Sequence, residues 1–184
     1  MPPQMMKRWF GSDQEADKEI ISLFKQDLVL IGQGHLKHWE TDPSGKLACI
    51  ILCDQLSRNI FRSLAEAFSF DHISLRLSKE IISHIDEFKS YKLFEKLFVI
   101  TPLLHSEKQE DCQLGLDVLA QVIEHLTQTN QTELVRIFEL SKRWGQEHLD
   151  ILKEFGRYPH RNKVLGREST EEEDLFMRDA GTFG

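Results

Sequence analysis

Apolar residues recur at steps of three and four from Ile20 through Leu23, Phe24 and Leu28 to Ile31. That is the period of one face of a helix. Ser12 with Glu15 three residues on has the form of a capping box at its start, and Gly32 and Gly34 weaken its end. Thr41-Asp42-Pro43-Ser44-Gly45 follows as a turn. A second helix is predicted over 46–61, with Leu47, Ile50, Ile51, Cys53 and Ile60 apolar. Ala65–Phe68 forms a short helical turn, and Asp71 is placed to cap a helix carrying Ile73, Leu75, Leu77, Ile81, Ile82 and Ile85. A helix over 93–100 is expected to stop before Pro102. Ser106 with Gln109 opens another that runs to Leu126, and 127–132 is a polar loop. Leu134, Ile137, Phe138, Leu140, Trp144, Leu149, Ile151 and Leu152 mark a long helix ending at Gly156. Ser169 with Glu172 opens a last short helix, in which Glu171–Asp174 suits the positive end of the helix dipole.

Alternation at period two never lasts beyond a few residues, so no strand is predicted. Successive helices on short loops imply an all-α fold of antiparallel helical pairs, either a tetratricopeptide-like right-handed superhelix or an irregular bundle. No self-similarity at ~34 residues is legible. The 184 residues are expected to form one domain, long enough to bury a core.

Composition narrows the class. With 40% hydrophobic and 29% charged residues the chain is not disordered as a whole. A net charge of -7 repels phosphate, so general nucleic-acid binding is disfavoured, although a local basic patch leaves RNA open. The opening MPPQMMKRWFG has no secretory pattern, and no run approaches the ~18 apolar residues of a membrane span. Cys49, Cys53 and Cys112 are an odd set and are expected as free thiols in a reducing, cytoplasmic setting. Cys49 and Cys53 share a helix face and read as core; no further ligands stand near them to make a zinc site.

Three stretches break the pattern of apolar face and polar outside. In the first, Asp54, Arg58 and Arg62 stand at four-residue steps along one helix face, with Asn59 beside them. Asp54 can pair with Arg58, leaving Arg62 for another anion; the plainer reading is a surface ion-pair face. The second is Pro102-Leu103-Leu104-His105-Ser106-Glu107, read as a proline stop before a helix N-terminus. There His105 can act as acid or base with Glu107 orienting it, or can merely bridge two helices. The third runs from Phe155 to Arg167 and carries Arg157, His160, Arg161, Asn162, Lys163 and Arg167 with no acidic residue, a local reversal of sign in an acidic chain. The plainer reading is a loop that balances helix C-termini and the acidic last helix. There is no phosphate-binding glycine loop, zinc-protease motif or nucleophile elbow, and His35 with His38 lacks a third ligand.

The strings DQLSRNIFR, PLLHSE and FGRYPHRNKVLGREST followed by EEE together resemble a bacterial family catalogued as domain of unknown function nine-two-four. The resemblance extends from Trp9-Phe10 and Trp39 to Thr170-Glu171-Glu172. It implies a tetratricopeptide-type helical fold and a shared site, but no reaction. Leu56-Ser57 stand where the family commonly has Phe-Pro, which leaves Arg58, Asn59 and Arg62 in place.

Two function classes follow. One is a binding module in which Arg58, Asn59, Arg62, Arg157, Arg161, Asn162 and Arg167 hold an anionic small molecule or an acidic peptide. The other is an enzyme acting on a phosphate- or carboxylate-bearing substrate, with His105 or His160 as acid or base and Asp54 or Glu107 orienting it. Neither reading calls for a metal or cofactor. Charge matching predicts that the basic loop meets Glu107 and Asp54 and that the three stretches converge.

Overall fold

In a computed structural model describing residues 13–179, helix α1 (Gln14–Gly32) is capped by Asp13, whose carboxylate accepts the N–H groups of Glu15 and Ala16. The predicted cap Ser12 lies outside the described residues. Among those described, every helix or strand element is helical and no strand occurs, as the periodicity predicts. The chain divides by its contacts into two units, Met1–Tyr91 and Lys92–Gly184.

In the first unit a 3-10 turn (Lys37–Thr41) leads to α2 (Pro43–Ile50), capped by Asp42 through the Ser44 and Gly45 N–H groups. Gly45 is there for close approach: a Cβ on it would lie 1.9 Å from the Trp39 carbonyl oxygen. The predicted single helix over 46–61 is corrected. Beyond α2 the chain is π-helical over Ile51–Leu56 and returns to α-helix only for α3 (Ser57–Ile60). A π turn carries one extra residue, a register change that apolar spacing does not reveal. The Ser57 hydroxyl donates to the Cys53 carbonyl at 2.7 Å within this stretch.

Ala65–Phe68 forms the expected short turn, of 3-10 type. α4 (Asp71–Ser83) departs from the prediction at both ends. Asp71 is its first helical residue, with Phe70 at the cap position, and the Asp71 carboxylate is taken by Arg58. Ile85 does not extend the α4 stripe; it starts α5 (Ile85–Ser90) and is 52% exposed. The core of this unit contains Leu28, Cys49, Ile50, Cys53, Leu77 and Ile81. Lys46 is buried between Glu80 and Glu87, at 2.8 and 2.9 Å.

In the second unit α6 spans Leu93–His105 with Pro102 inside it. The expected stop is corrected: Pro102 and Leu103 are both buried, so packing outweighs the missing amide hydrogen. His105 therefore stands at a helix C-terminus, not at an N-terminus. α7 (Gln109–Gln128) has Lys108 as its cap residue, and Ser106 instead accepts the Lys108 N–H and donates to Asp111. α8 (Thr132–Phe155) follows after only 129–131, so the predicted loop is shorter. Gln109 donates to the Leu152 carbonyl, which sets the start of α7 beside the end of α8 and makes the pair antiparallel. Leu104 of α6 packs against Gly115 and Gly145, where an added Cβ would come within 2.8 and 3.1 Å of its Cδ2. Gly156 ends α8 at φ 71°, as predicted. A 3-10 turn (Pro159–Arg161) and α9 (Glu171–Asp179) complete the described chain. The opening box of α9 is Thr170 with Glu173, one register later than the Ser169–Glu172 reading.

Candidate functional site

The first stretch lies in the first unit. Asp54 sits in the π-helical segment and is 1% exposed, with the Gln55 amide donating to it. Its distance to Arg58 is 3.9 Å, whereas Asp71 holds the Arg58 guanidinium at 2.8 Å, so Asp71 is the closer carboxylate. Arg58 also donates to the Ala67 carbonyl, and its guanidinium carbon lies 4.4 Å from the centre of the Phe68 ring. Arg62 is not left for another anion: its Nε and Nη2 donate to the two oxygens of Asp17 at 2.6 and 2.8 Å. Asn59 donates to the same carboxylate at 2.9 Å. Arg62 above all holds the Asp17 carboxyl below its ordinary value, against the opposing effect of burial. The sequence marks Asp71 only as a helix cap and does not mark Asp17, which lies 45 residues from Arg62.

The second and third stretches meet in the second unit, around Tyr158. This residue is fully buried, and its hydroxyl donates to the carbonyls of Leu104 and Ser106 at 2.7 and 3.2 Å. Those carbonyls belong to the end of α6 and the link beyond it. Glu107, in that link, accepts the Tyr158 N–H at 2.9 Å and both terminal nitrogens of Arg167 at 2.7 and 3.0 Å. Arg167 also donates to the Tyr158 carbonyl at 3.0 Å. Burial pushes the Glu107 carboxyl up, but Arg167 and the Tyr158 amide outweigh it and leave it below the usual value. Charge matching thus meets its expectation for Glu107.

Arg157 makes a further guanidinium–carboxylate fork, to Glu173 on α9, and also donates to the Glu168 carbonyl at 2.7 Å. Asn162 donates to Glu173 at 3.0 Å and to Ser169 at 3.2 Å. Arg157 holds the Glu173 carboxyl down at about 2. The acidic run at the start of α9 therefore does more than complement a dipole.

The remaining groups surround the Tyr158 ring. The Arg161 guanidinium carbon lies 4.8 Å from the ring centre, and Arg161 is itself buried. His160 stacks on the ring at 5.6 Å, and His148 of α8 meets it edge-on at 5.2 Å. His105 lies 6.4 Å from His148. Burial, followed by the charge of Arg161, pushes His160 down to about 4, and burial likewise lowers His148. Both shifts favour the neutral imidazole. His148 and Tyr158 escaped sequence reasoning. His148 looks like one polar position on an amphipathic helix; Tyr158 lay inside a quoted motif but carries no charge. Among the described residues, no group of three His, Cys, Asp or Glu side chains is placed to hold a metal ion. None of the described helices is long and apolar enough to cross a membrane.

Comparison with known proteins bears out the resemblance drawn from the motifs. The family model described as a bacterial protein of unknown function, DUF924, matches residues 2–181. The solved structure of ATU0120, a protein of unknown function from Agrobacterium tumefaciens, is similar at a TM-score of 0.74 and 26% identity. That match covers 93% of this chain and 88% of the other. No curated protein matches.

Proposed function

Because the chain belongs to the bacterial DUF924 family, whose description carries no activity, we propose a function from side-chain chemistry: the second unit is a binding module for an anionic small molecule or an acidic chain end. The observation that carries this reading is the gathering of His105, His148, His160 and Arg161 about the buried Tyr158 ring. Arg157 and Arg167 are matched by Glu173 and Glu107, and Arg161 places a further guanidinium against the Tyr158 ring. Positive charge beside low-dielectric walls concentrates anions.

The wider predicted ligand set then divides. Arg58, Asn59 and Arg62 are assigned to holding the first unit together through Asp71 and Asp17. Arg157, Asn162 and Arg167 are assigned to fastening the loop after α8. Arg161 and the imidazoles are assigned to the ligand. The antiparallel α7–α8 pair supports a tetratricopeptide-like arrangement, a scaffold suited to binding, and the three buried free thiols support a reducing, cytoplasmic setting.

The enzyme reading has less support. Glu107 spends both oxygens on Arg167 and the Tyr158 amide rather than on an imidazole, and His160 at about 4 is a weak base. The test is titration of the protein with inorganic phosphate and with citrate, following imidazole proton resonances by NMR. Binding that perturbs His105, His148 and His160 is expected, weakened roughly tenfold or more in Arg161→Gln and unchanged in Arg62→Gln. Perturbation spread evenly over the surface, or equal in both variants, overturns the reading.

A further inference from the structure

We propose that the outer face of α8 docks a second copy of this chain, the two α8 helices lying antiparallel about a twofold axis beside Leu140. The inference goes beyond the anion-binding reading and does not depend on it.

The inner side of α8 carries Phe138, Gly145 and Leu149, all buried, with Gly145 against Leu104 of α6 and Leu116 of α7. At about 100° per residue, Ile137, Leu140 and Trp144 fall on the outer side, within a sector of about 60°. They are 41%, 39% and 51% exposed. Three large apolar side chains in one row are a patch, where isolated ones would be ordinary surface. Beside the row, Arg136, Glu139, Arg143 and Glu147 share an exposed flank of about 80°. Leu140 lies between row and flank, where Val135, Arg136, Glu139, Leu140 and Arg143 line a shallow groove.

The order of charge on that flank decides the occupant. Along the helix the signs run positive, negative, positive, negative. Reversed, this order is its own complement. A twofold axis across the helix performs that reversal and brings the same flank of each copy together. Arg136 then stands level with Glu147 of the second copy, and Arg143 with Glu139 of the second copy, each pair occurring twice. The same axis sets Ile137 level with Trp144 of the second copy and Leu140 beside its own counterpart. These pairings agree on the position of the axis to within about 1.5 Å along the helix. Parallel helices would set every charge against its like.

The charges are available for this. Glu139, Arg143 and Glu147 have no side-chain hydrogen bond or ion pair among the described residues. Arg136 has the exposed Glu133, at 3.2 Å. Exposed pairs of that kind are weak and readily exchanged. Across an interface, charges at the rim select partner and direction more than they add strength. The patch is small, so the expected dissociation constant is about 1–100 µM.

Sedimentation equilibrium of the full chain over about 2–300 µM tests this, with a monomer–dimer equilibrium expected that weakens several-fold in high salt. Trp144→Ser should weaken it by about tenfold or more. Arg136→Glu with Arg143→Glu makes the flank wholly negative, and Glu139→Arg with Glu147→Arg makes it wholly positive. Each double variant, checked for folding by circular dichroism, should be monomeric alone, and the two should form a mixed dimer when combined. Loss of fold cannot produce that rescue. A parent chain that stays monomeric throughout overturns the proposal and leaves the face to a different protein. A dimer indifferent to Trp144→Ser, or double variants that associate no better mixed than alone, overturns it as well.

Discussion

Arg157 lays its guanidinium across Glu173, with Nε and Nη2 at 2.6 and 2.8 Å from the two carboxylate oxygens. The Glu173 side chain is 2% exposed, and its carboxylate also accepts the Thr170 N–H and the Asn162 amide. One residue thus secures both the loop after α8 and the first turn of α9.

Glu173→Gln keeps the shape and leaves the Arg157 charge without its carboxylate. A loss of roughly 3 kcal/mol in urea unfolding is expected, with faster amide exchange in α9. Because the folded carboxyl sits at about 2, its contribution is fully present above ~4.3 and fades as pH falls from there toward 2. The variant should lose that acid limb. Wild-type stability in Glu173→Gln would refute the clamp.

His160 gives a pH dependence in a different window. Its folded value near 4 lies below the unfolded value of ~6.5, so the unfolded chain binds more protons between the two. Stability is fully present above about pH 6.5 and is lost as pH falls toward 4, by roughly 2–3 kcal/mol over the span. Thermal melts at pH 7.5 and 5 should differ less in His160→Gln. An equal drop in both proteins would rule His160 out as the source.

Tyr158→Phe removes a buried hydroxyl and leaves the Leu104 and Ser106 carbonyls short of a donor. A cost of about 1–2 kcal/mol is expected, with the ring contacts to His148 and His160 retained. A variant as stable as the parent would mean that those carbonyls find other donors.

Gly45→Ala should be among the most damaging single methyl additions, because the new Cβ meets backbone, the Trp39 carbonyl, and not a movable side chain. More than about 3 kcal/mol of destabilisation is expected. Gly145→Ala meets only leucine methyls, at 2.9 and 3.1 Å, and should cost less. Comparing the two by chemical denaturation tests the distinction; the reverse order would overturn it.

Much of this was legible in the chain. The three- and four-residue spacing gave the long helices, and Gly156 marked the end of α8 because a left-handed residue ends a helix in a recognisable way. Local rules failed where tertiary packing prevailed: Pro102 stays inside α6 because its surroundings bury it, and Asp71 forgoes the cap position to face Arg58. The three stretches were found because they reverse the local charge pattern. Their partners were harder. Asp17 is 45 residues from Arg62, and nothing in the spacing links them. Tyr158 organises the second unit through a hydroxyl and a ring face, neither of which leaves a trace in charge or periodicity.

The π-helical segment Ile51–Leu56 is a place where the chain can absorb a change of length. Its residue beyond the α-helical count widens one turn without turning the helix on either side. Removing one residue there would let the chain close into uninterrupted α-helix with Asn59 and Arg62 still in phase to reach Asp17, and Arg58 to reach Asp71. A deletion within α2 or α3 has no such slack and would rotate everything beyond it by about 100°. In an alignment of relatives, single-residue gaps should therefore gather at 51–56 and be absent from the α-helical turns that flank it.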